Sequence, residues 1–257
     1  MSCHAFAHAI LRTPGRSVVQ GLRAHDGPGP DYGNVLAEHA AYAEALRRAG
    51  VATQLLPPLE AFPDSVFVED PALVFPEGAI LLNPGAASRA GEGEHLLSTL
   101  HANFERVLTL GDGHADGGDV MVTPNHVLIG LSARTDEAGA ANLALALARF
   151  GRKSRIVAPP EGALHLKTVA SLIDEETVLT TAEGDASGLF AGFRTIITPE
   201  GEEAAANTLR VNASLLLSAN HPRIADRLDR EGYALDLVDT AHVARIDAGL
   251  SCMSLRW

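Results

Sequence analysis

The chain has 257 residues, 46% of them hydrophobic, with 32 acidic against 20 basic side chains and a net charge of −12. That is enough apolar material for a sizeable core, and the negative balance argues against nucleic acid or an anionic membrane surface as partner, because phosphates need a basic face. Two cysteines, Cys3 and Cys252, make no disulfide framework and suit a reducing cytoplasm.

No apolar run reaches the roughly 18 residues of a membrane span. The start, Met1 to His8, lacks a basic region followed by a clean apolar one, so no secretory leader is expected. No Pro/Gly/Ser-rich linker divides the chain, which predicts one domain over residues 1–257.

In chain order, Phe6 to Leu11 has strand character, and the Gly/Pro cluster from Asp26 to Gly33 reads as a loop. Val35 to Arg48 has helical spacing, with Leu36, Ala40, Ala43 and Leu46 on one face, and Gly50 ends it. A strand follows over Val51 to Leu56, stopped by Pro57 and Pro58. Ala72–Phe75 and Ala79–Leu82 form a hairpin around Pro76 to Gly78, before a helix near Leu96 to Phe104 and a strand at Val107 to Leu110.

The same order then returns. Asp116-Gly-Gly-Asp119 precedes two short apolar runs, helix Ala138 to Phe150 and a strand ending at Val157. A third copy starts at His165 and ends with Phe193 to Ile197, and a fourth starts at Asn207 and ends with Tyr233 to Val238. Each unit reads strand, turn, strand, helix, strand, with a polar residue at its entrance: Asp70, Asp116, His165, Asn207 and Cys252. The spacings between them are 46, 49, 42 and 45 residues, a regularity that marks a repeat architecture. The last unit is split: Cys252 to Trp257 supplies its first strand and Phe6 to Leu11 its second, so the chain ends meet and close a ring of five. The alternative is an ordinary open α/β sheet.

A closed ring brings Cys252, His165, Asp116, Asp119 and Asp70 into one pocket. Cysteine is a nucleophile only as thiolate, which a neighbouring histidine favours. Histidine can pass a proton to a leaving group and take one from water, and an acid beside it fixes the ring. Taken alone, His165 reads as a buried, satisfied histidine and Cys252 as a packing residue; the repeat phase is what selects them. Asp64, Glu69 and Asp70 lie in an apolar stretch and call for a cationic partner. Arg89 and Arg134 hold matching places after the second strand of consecutive units and suit a carboxylate. A zwitterion with a cationic far end, arginine or a relative, fits both. A calcium loop starting at Asp112 fails because Thr123 stands at its twelfth position. The chain carries no HExxH or CxxC, so no metal centre is expected.

Seven motifs then coincide: Arg12 to Pro14, Pro63 to Pro71, Pro84 to Arg89, Asp116 to Val120, Gly130 to Thr135, Leu164 to Lys167 and Asp247 to Leu255. With these the chain resembles the dimethylarginine dimethylaminohydrolases, guanidine-modifying enzymes of the pentein superfamily. The resemblance implies a five-bladed α/β propeller of ββαβ repeats. It implies Cys252 as nucleophile, His165 as general acid and base, and Asp116 as its orienting partner, where some relatives carry glutamate. It implies Glu69 and Asp70 as guanidinium holders, Asp64 with the backbones of Leu22 and Ile246 as the α-amino site, and Arg89 with Arg134 as the carboxylate clamp. Leu22 would lie on a mobile loop over the pocket. The implied reaction converts asymmetric dimethylarginine or monomethylarginine to citrulline and an alkylamine through a covalent thiouronium, with no cofactor and no metal. Three rivals stand beside it: arginine deiminase, which usually carries a helical insertion that this chain has no room for; a non-catalytic five-unit binding protein; and a papain-like protease. A homodimer remains compatible with the sequence.

Overall fold

The computed structural model describes residues 3–24 and 27–257. Met1, Ser2, His25 and Asp26 lie outside the described residues, so the loop expected from Asp26 is described only from Gly27 onward.

Strand β1 (His8–Arg12) leads through helix α1 (Tyr32–Arg48) to β2 (Ala52–Leu56). The next unit is β3 (Ala72–Phe75), β4 (Gly78–Leu81), α2 (Leu97–Asn103) and β5 (Val107–Thr109). It is followed by β6 (Val120–Val122), β7 (Val127–Gly130), α3 (Glu137–Arg149) and β8 (Ser154–Val157). A short helix α4 (Leu166–Val169) opens the third full unit, which continues as β9 (Ala170–Leu172), β10 (Thr177–Thr180), α5 (Ala182–Ala186) and β11 (Arg194–Ile197). The fourth is β12 (Leu209–Val211), β13 (Ser214–Ser218), α6 (Pro222–Arg230) and β14 (Leu235–Val238), and β15 (Leu255–Arg256) ends the chain.

Among the described residues these strands form five separate three-stranded sheets. In each, the first two strands pair antiparallel and the second and third pair parallel across the helix. A tight turn can join antiparallel neighbours, whereas parallel ones need a crossover. The fifth sheet has the order β15-β1-β2, with Ile10 opposite Leu255 and Ile10 beside Gln54. Head and tail therefore share one blade, and the closed ring holds over the open sheet.

The helices seal the joints between blades. Leu143 and Leu147 of α3 are fully buried against Ile80 of one sheet and Ile129 of the next. Deleting such a side chain typically costs about 2–5 kcal/mol. Helix α1 differs from expectation in its face: Leu36 and Ala40 point outward, and Val35, His39, Tyr42 and Leu46 form the buried stripe. The stripe passes through Tyr42 and His39, residues that an apolar count skips. Tyr42 tolerates full burial because its hydroxyl meets Ser254 Oγ at 2.5 Å. No helix among the described residues is long and apolar enough to cross a membrane.

Candidate active site

The entrances to the first strands gather at one end of the ring axis. Asp116 precedes a 3-10 turn over Gly117–Asp119 that delivers the chain to β6. Its oxygens are used separately: Oδ1 accepts from the Gly85 amide at 2.7 Å, and Oδ2 lies 3.1 Å from His165 Nε2. An aspartate is thus long enough to hold the imidazole here. The two glycines after it are required by close approach: a Cβ on Gly117 would lie 1.9 Å from the Glu69 carbonyl oxygen, and one on Gly118 2.6 Å from His165 Nδ1. Asp119 does not face the pocket. It is fully buried and accepts from the Leu166 amide at 2.9 Å, Ser132 Oγ at 2.6 Å and Thr135 Oγ1 at 2.7 Å, which pins the backbone beside His165.

Burial alone would push the His165 pKa down. The hydrogen bond to Asp116 and the fields of Asp70 and Asp119 outweigh it, and the ring is held above its ordinary value. Nε2 meets Asp116, and the Nδ1 side of the ring packs against Gly118.

Cys252 stands on a 3-10 turn, Leu250–Met253, ahead of β15. Its carbonyl accepts from the Glu69 amide at 3.2 Å. The sulfur has only long contacts, 3.9 Å to Asn207 Nδ2 and 4.0 Å to Ser251 Oγ. Burial, together with the anions Asp70 and Glu69, pushes the thiol up to about 11. This environment disfavours the thiolate.

Glu69 is held by two cations, Lys167 Nζ at 2.7 Å and Arg256 at 2.9 Å, both on Oε1. Asp70 accepts from the Gly118 amide through Oδ1 at 3.1 Å and from Arg89 through Oδ2 at 2.5 Å. Burial works to raise its pKa, but Arg89, His165 and Lys167 overcome it and keep Asp70 below the usual carboxylate range.

Arg89 departs from the expected clamp. Instead of presenting a free fork at the mouth it is 4% exposed, with its guanidinium turned inward to Asp70, to Glu92 at 2.6 and 2.8 Å, and to the Phe67 carbonyl at 2.9 Å. The reason is the company it keeps: two buried carboxylates need a cation more than an open pocket does. Arg134 stays half-buried, with no side-chain bond to the described residues, and its field acts on Asp64. The amino-site trio is brought together. The Leu22 amide donates to Asp64 Oδ1 at 3.0 Å, and the neighbouring Gly21 sits between that oxygen and the Ile246 side chain. Burial raises the Asp64 pKa against the pull of Arg89 and the Leu22 amide.

Among the described residues, Asp70, Asp116 and His165 place one ligand atom each within 4.8 Å of one another, close enough to share a cation. Those atoms already have partners in Arg89 and in each other, so the set fits a proton-handling cluster better than an ion cage. Three residues absent from the expected site belong to it: Asn207, Lys167 and Arg256. Asn207 was signalled by the repeat phase, since it is the entrance of the fourth unit. Lys167 and Arg256 carry only a faint signal, as cations two residues from His165 and four from Cys252. Cys3 packs near Leu128 and Phe190 of another joint, and burial with Glu175 pushes its thiol up to about 11.

A family model described as arginine deiminase matches residues 56–196. The chain is 40% identical to N(G),N(G)-dimethylarginine dimethylaminohydrolase of Pseudomonas aeruginosa, over 98% of this chain and 100% of that protein. A crystal structure of the Pseudomonas aeruginosa protein, a cysteine-to-serine mutant complexed with citrulline, superposes with a TM-score of 0.95 over 98% of this chain and 100% of that one, at 40% identity. A dimethylarginine dimethylaminohydrolase adduct with S-methyl-L-thiocitrulline matches with the same TM-score of 0.95, identity of 40% and coverage of 98% and 100%.

Proposed function

The chain belongs to the dimethylarginine dimethylaminohydrolases, within the arginine deiminase family, and from that premise we propose that it hydrolyses asymmetric dimethylarginine and monomethylarginine to citrulline, releasing dimethylamine or methylamine. The observation that carries the reading is the meeting of His165, Asp116 and Asp70 within 4.8 Å at the end of the axis where Cys252 feels Asp70 and Glu69.

The substrate guanidinium is drawn to Glu69 and Asp70, and its charge offsets the anions that keep Cys252 protonated. The thiol then gives its proton to solvent water and the sulfur attacks the guanidinium carbon. His165, charged and steadied by Asp116, gives a ring proton to the departing amine. The C–N bond breaks, and a thiouronium joins substrate to Cys252. Neutral His165 next takes a proton from water as the hydroxyl adds to the same carbon. The C–S bond breaks as the added hydroxyl gives its proton to sulfur, citrulline leaves, and the thiol is restored. Asp64 with the Leu22 and Ile246 backbones holds the α-amino group, and Arg134 meets the α-carboxylate. Arg89 keeps one side of Asp70 neutralised and joins the carboxylate only if its inward fork opens.

The test is a citrulline assay across arginine, monomethylarginine and both dimethylarginines, with the released amine identified. Citrulline with dimethylamine from the asymmetric form is expected. No citrulline from any methylated arginine would end the reading. Arginine deimination is the second reading, favoured by the match to the model of that name, and ammonia from arginine as the main reaction would select it. Two finer readings accompany the first. A reducing cytoplasm suits the unpaired thiols and is tested by fractionation. A homodimer is supported by exposed apolar side chains such as Leu145 at 67%, and light scattering tests it.

A further inference from the structure

The first strand of each unit leads away from the catalytic end of the axis and the second returns, and hairpin turns such as Pro76–Glu77 and Thr123–His126 at the far end surround a cavity of about 580 Å³. Its floor is the underside of the site already described, formed by Glu69, Lys167, Asn207 and Arg256. Its walls are apolar, with Phe75, Leu172, Leu209 and Trp257 among them. That volume falls among small-molecule sites, which span roughly 300–1,000 Å³.

The charge of this cavity runs against that of the protein. Five of the 20 lysines and arginines line it, against two of the 32 acidic residues. Both acids are already paired, Glu77 with Arg152 at 2.9 Å and Glu69 with Lys167 and Arg256. Cationic capacity is left over. Arg210 spends its Nε on the Asn212 carbonyl at 2.9 Å and makes no bond through its two terminal nitrogens to the described residues. Lys153 is exposed at the rim with no side-chain partner there. On the floor, Arg256 Nε is buried without a hydrogen-bond partner, in a side chain only 10% exposed. A buried donor of this kind is costly to leave unmet. The catalytic end has the opposite character, with Asp64, Glu69 and Asp70 arranged for a cation.

We propose that this far cavity is a second ligand site, selective for a small organic monoanion with an apolar body, such as an aromatic or branched carboxylate. The carboxylate lies in the fork of Arg210, Lys153 adds its charge from the rim, and the body packs on the aliphatic and aromatic walls. The lining keeps a net charge of +3, five cations against two acids, which disfavours a guanidinium and so the substrate of the other end.

Trp257 is the single tryptophan of the chain and lines the cavity, so its fluorescence reports occupancy directly. The probe is benzoate, titrated against the intact protein with L-citrulline present to fill the substrate pocket; benzamide is the uncharged control of the same shape. A saturable change with benzoate, absent with benzamide, is expected. Arg210→Gln should weaken benzoate at least about tenfold, the worth of a charge-assisted hydrogen bond, with citrulline production unchanged. Lys153→Gln, at an exposed position that cannot disturb folding, should weaken it about two- to fivefold, as removal of a nearby exposed charge does. Equal responses to benzoate and benzamide, a response that never saturates, or full affinity in both variants would overturn the proposal.

Discussion

The two halves of the catalytic site are held very differently. His165 is fixed from every side: Asp116 on Nε2, Gly118 against the ring, Thr168 on its carbonyl at 2.7 Å, and Asp119 on the next amide. Among the described residues Cys252 has no partner on sulfur closer than 3.9 Å, and it sits beside two anions. The protein's own charges therefore favour the protonated histidine and disfavour the thiolate of the nucleophile until a cation arrives.

The comparison breaks most sharply if either half is dispensable. Cys252→Ser should lower kcat by at least about 10³-fold, because the covalent route is lost. His165→Asn should cost about 10²–10⁴-fold, the usual worth of a placed acid–base group. Citrulline release measures both, and circular dichroism checks that the fold survives. A variant at either position within tenfold of the parent would mean that the two halves do not form one site.

Stability offers the next largest effect, because the charge balance around Asp70 serves both halves. Arg89→Met leaves Asp70 and Glu92 buried without their cation, which typically costs about 3–5 kcal/mol. The sign with pH follows from Asp70. Its folded pKa lies below the ordinary value, so its contribution is present above the unfolded pKa and fades as pH falls through the folded one. Urea unfolding at neutral pH should show the full loss, and the gap between parent and variant should narrow in acid. A gap independent of pH would contradict the pairing.

These same residues mark how far the sequence could be read. The ring closure was legible because a residue repeat fixes both the blade and its entrance, and the match of Ile10 with Leu255 depends on nothing else. The meeting of Asp116 and His165 was legible for the same reason. The inward turn of Arg89 was not, because its cause is Glu92, an ordinary-looking acid on a 3-10 turn that has no place in the repeat phase. The α1 stripe was missed where polar atoms are buried, at His39 and Tyr42, since an apolar count sees only hydrocarbon. The pull of Lys167 and Arg256 on Glu69 arises between separate blades, which no local pattern encodes.

The nucleophile half can be sharpened by titration. In the free protein the Cys252 thiolate, followed by its ultraviolet absorbance relative to Cys252→Ser, should form only around pH 11. A simple alkylguanidinium ion, bound beside Glu69 and Asp70, should lower that midpoint by about 1–3 pH units, as an opposite charge at short range does. Since the folded pKa is raised, stability from this group is complete below the unfolded thiol value and is lost as pH rises through the folded one. A midpoint unmoved by the guanidinium would show that the thiol is not waiting for its substrate.

The smallest effect probes the histidine half at its outer edge. Asp119→Asn keeps the shape and most of the bonds to Leu166, Ser132 and Thr135 but removes one of the charges that holds His165 up. The His165 pKa should fall, by less than about 1 pH unit for a charge held off by an intervening backbone. Because amine departure needs His165 protonated, the alkaline limb of kcat should move to lower pH by the same amount, with the maximal rate little changed. Asp116→Asn loses the direct bond as well and should move that limb further. If Asp119→Asn moved it as far as Asp116→Asn, the histidine would be held by the pooled charge around it rather than by the one bond at 3.1 Å.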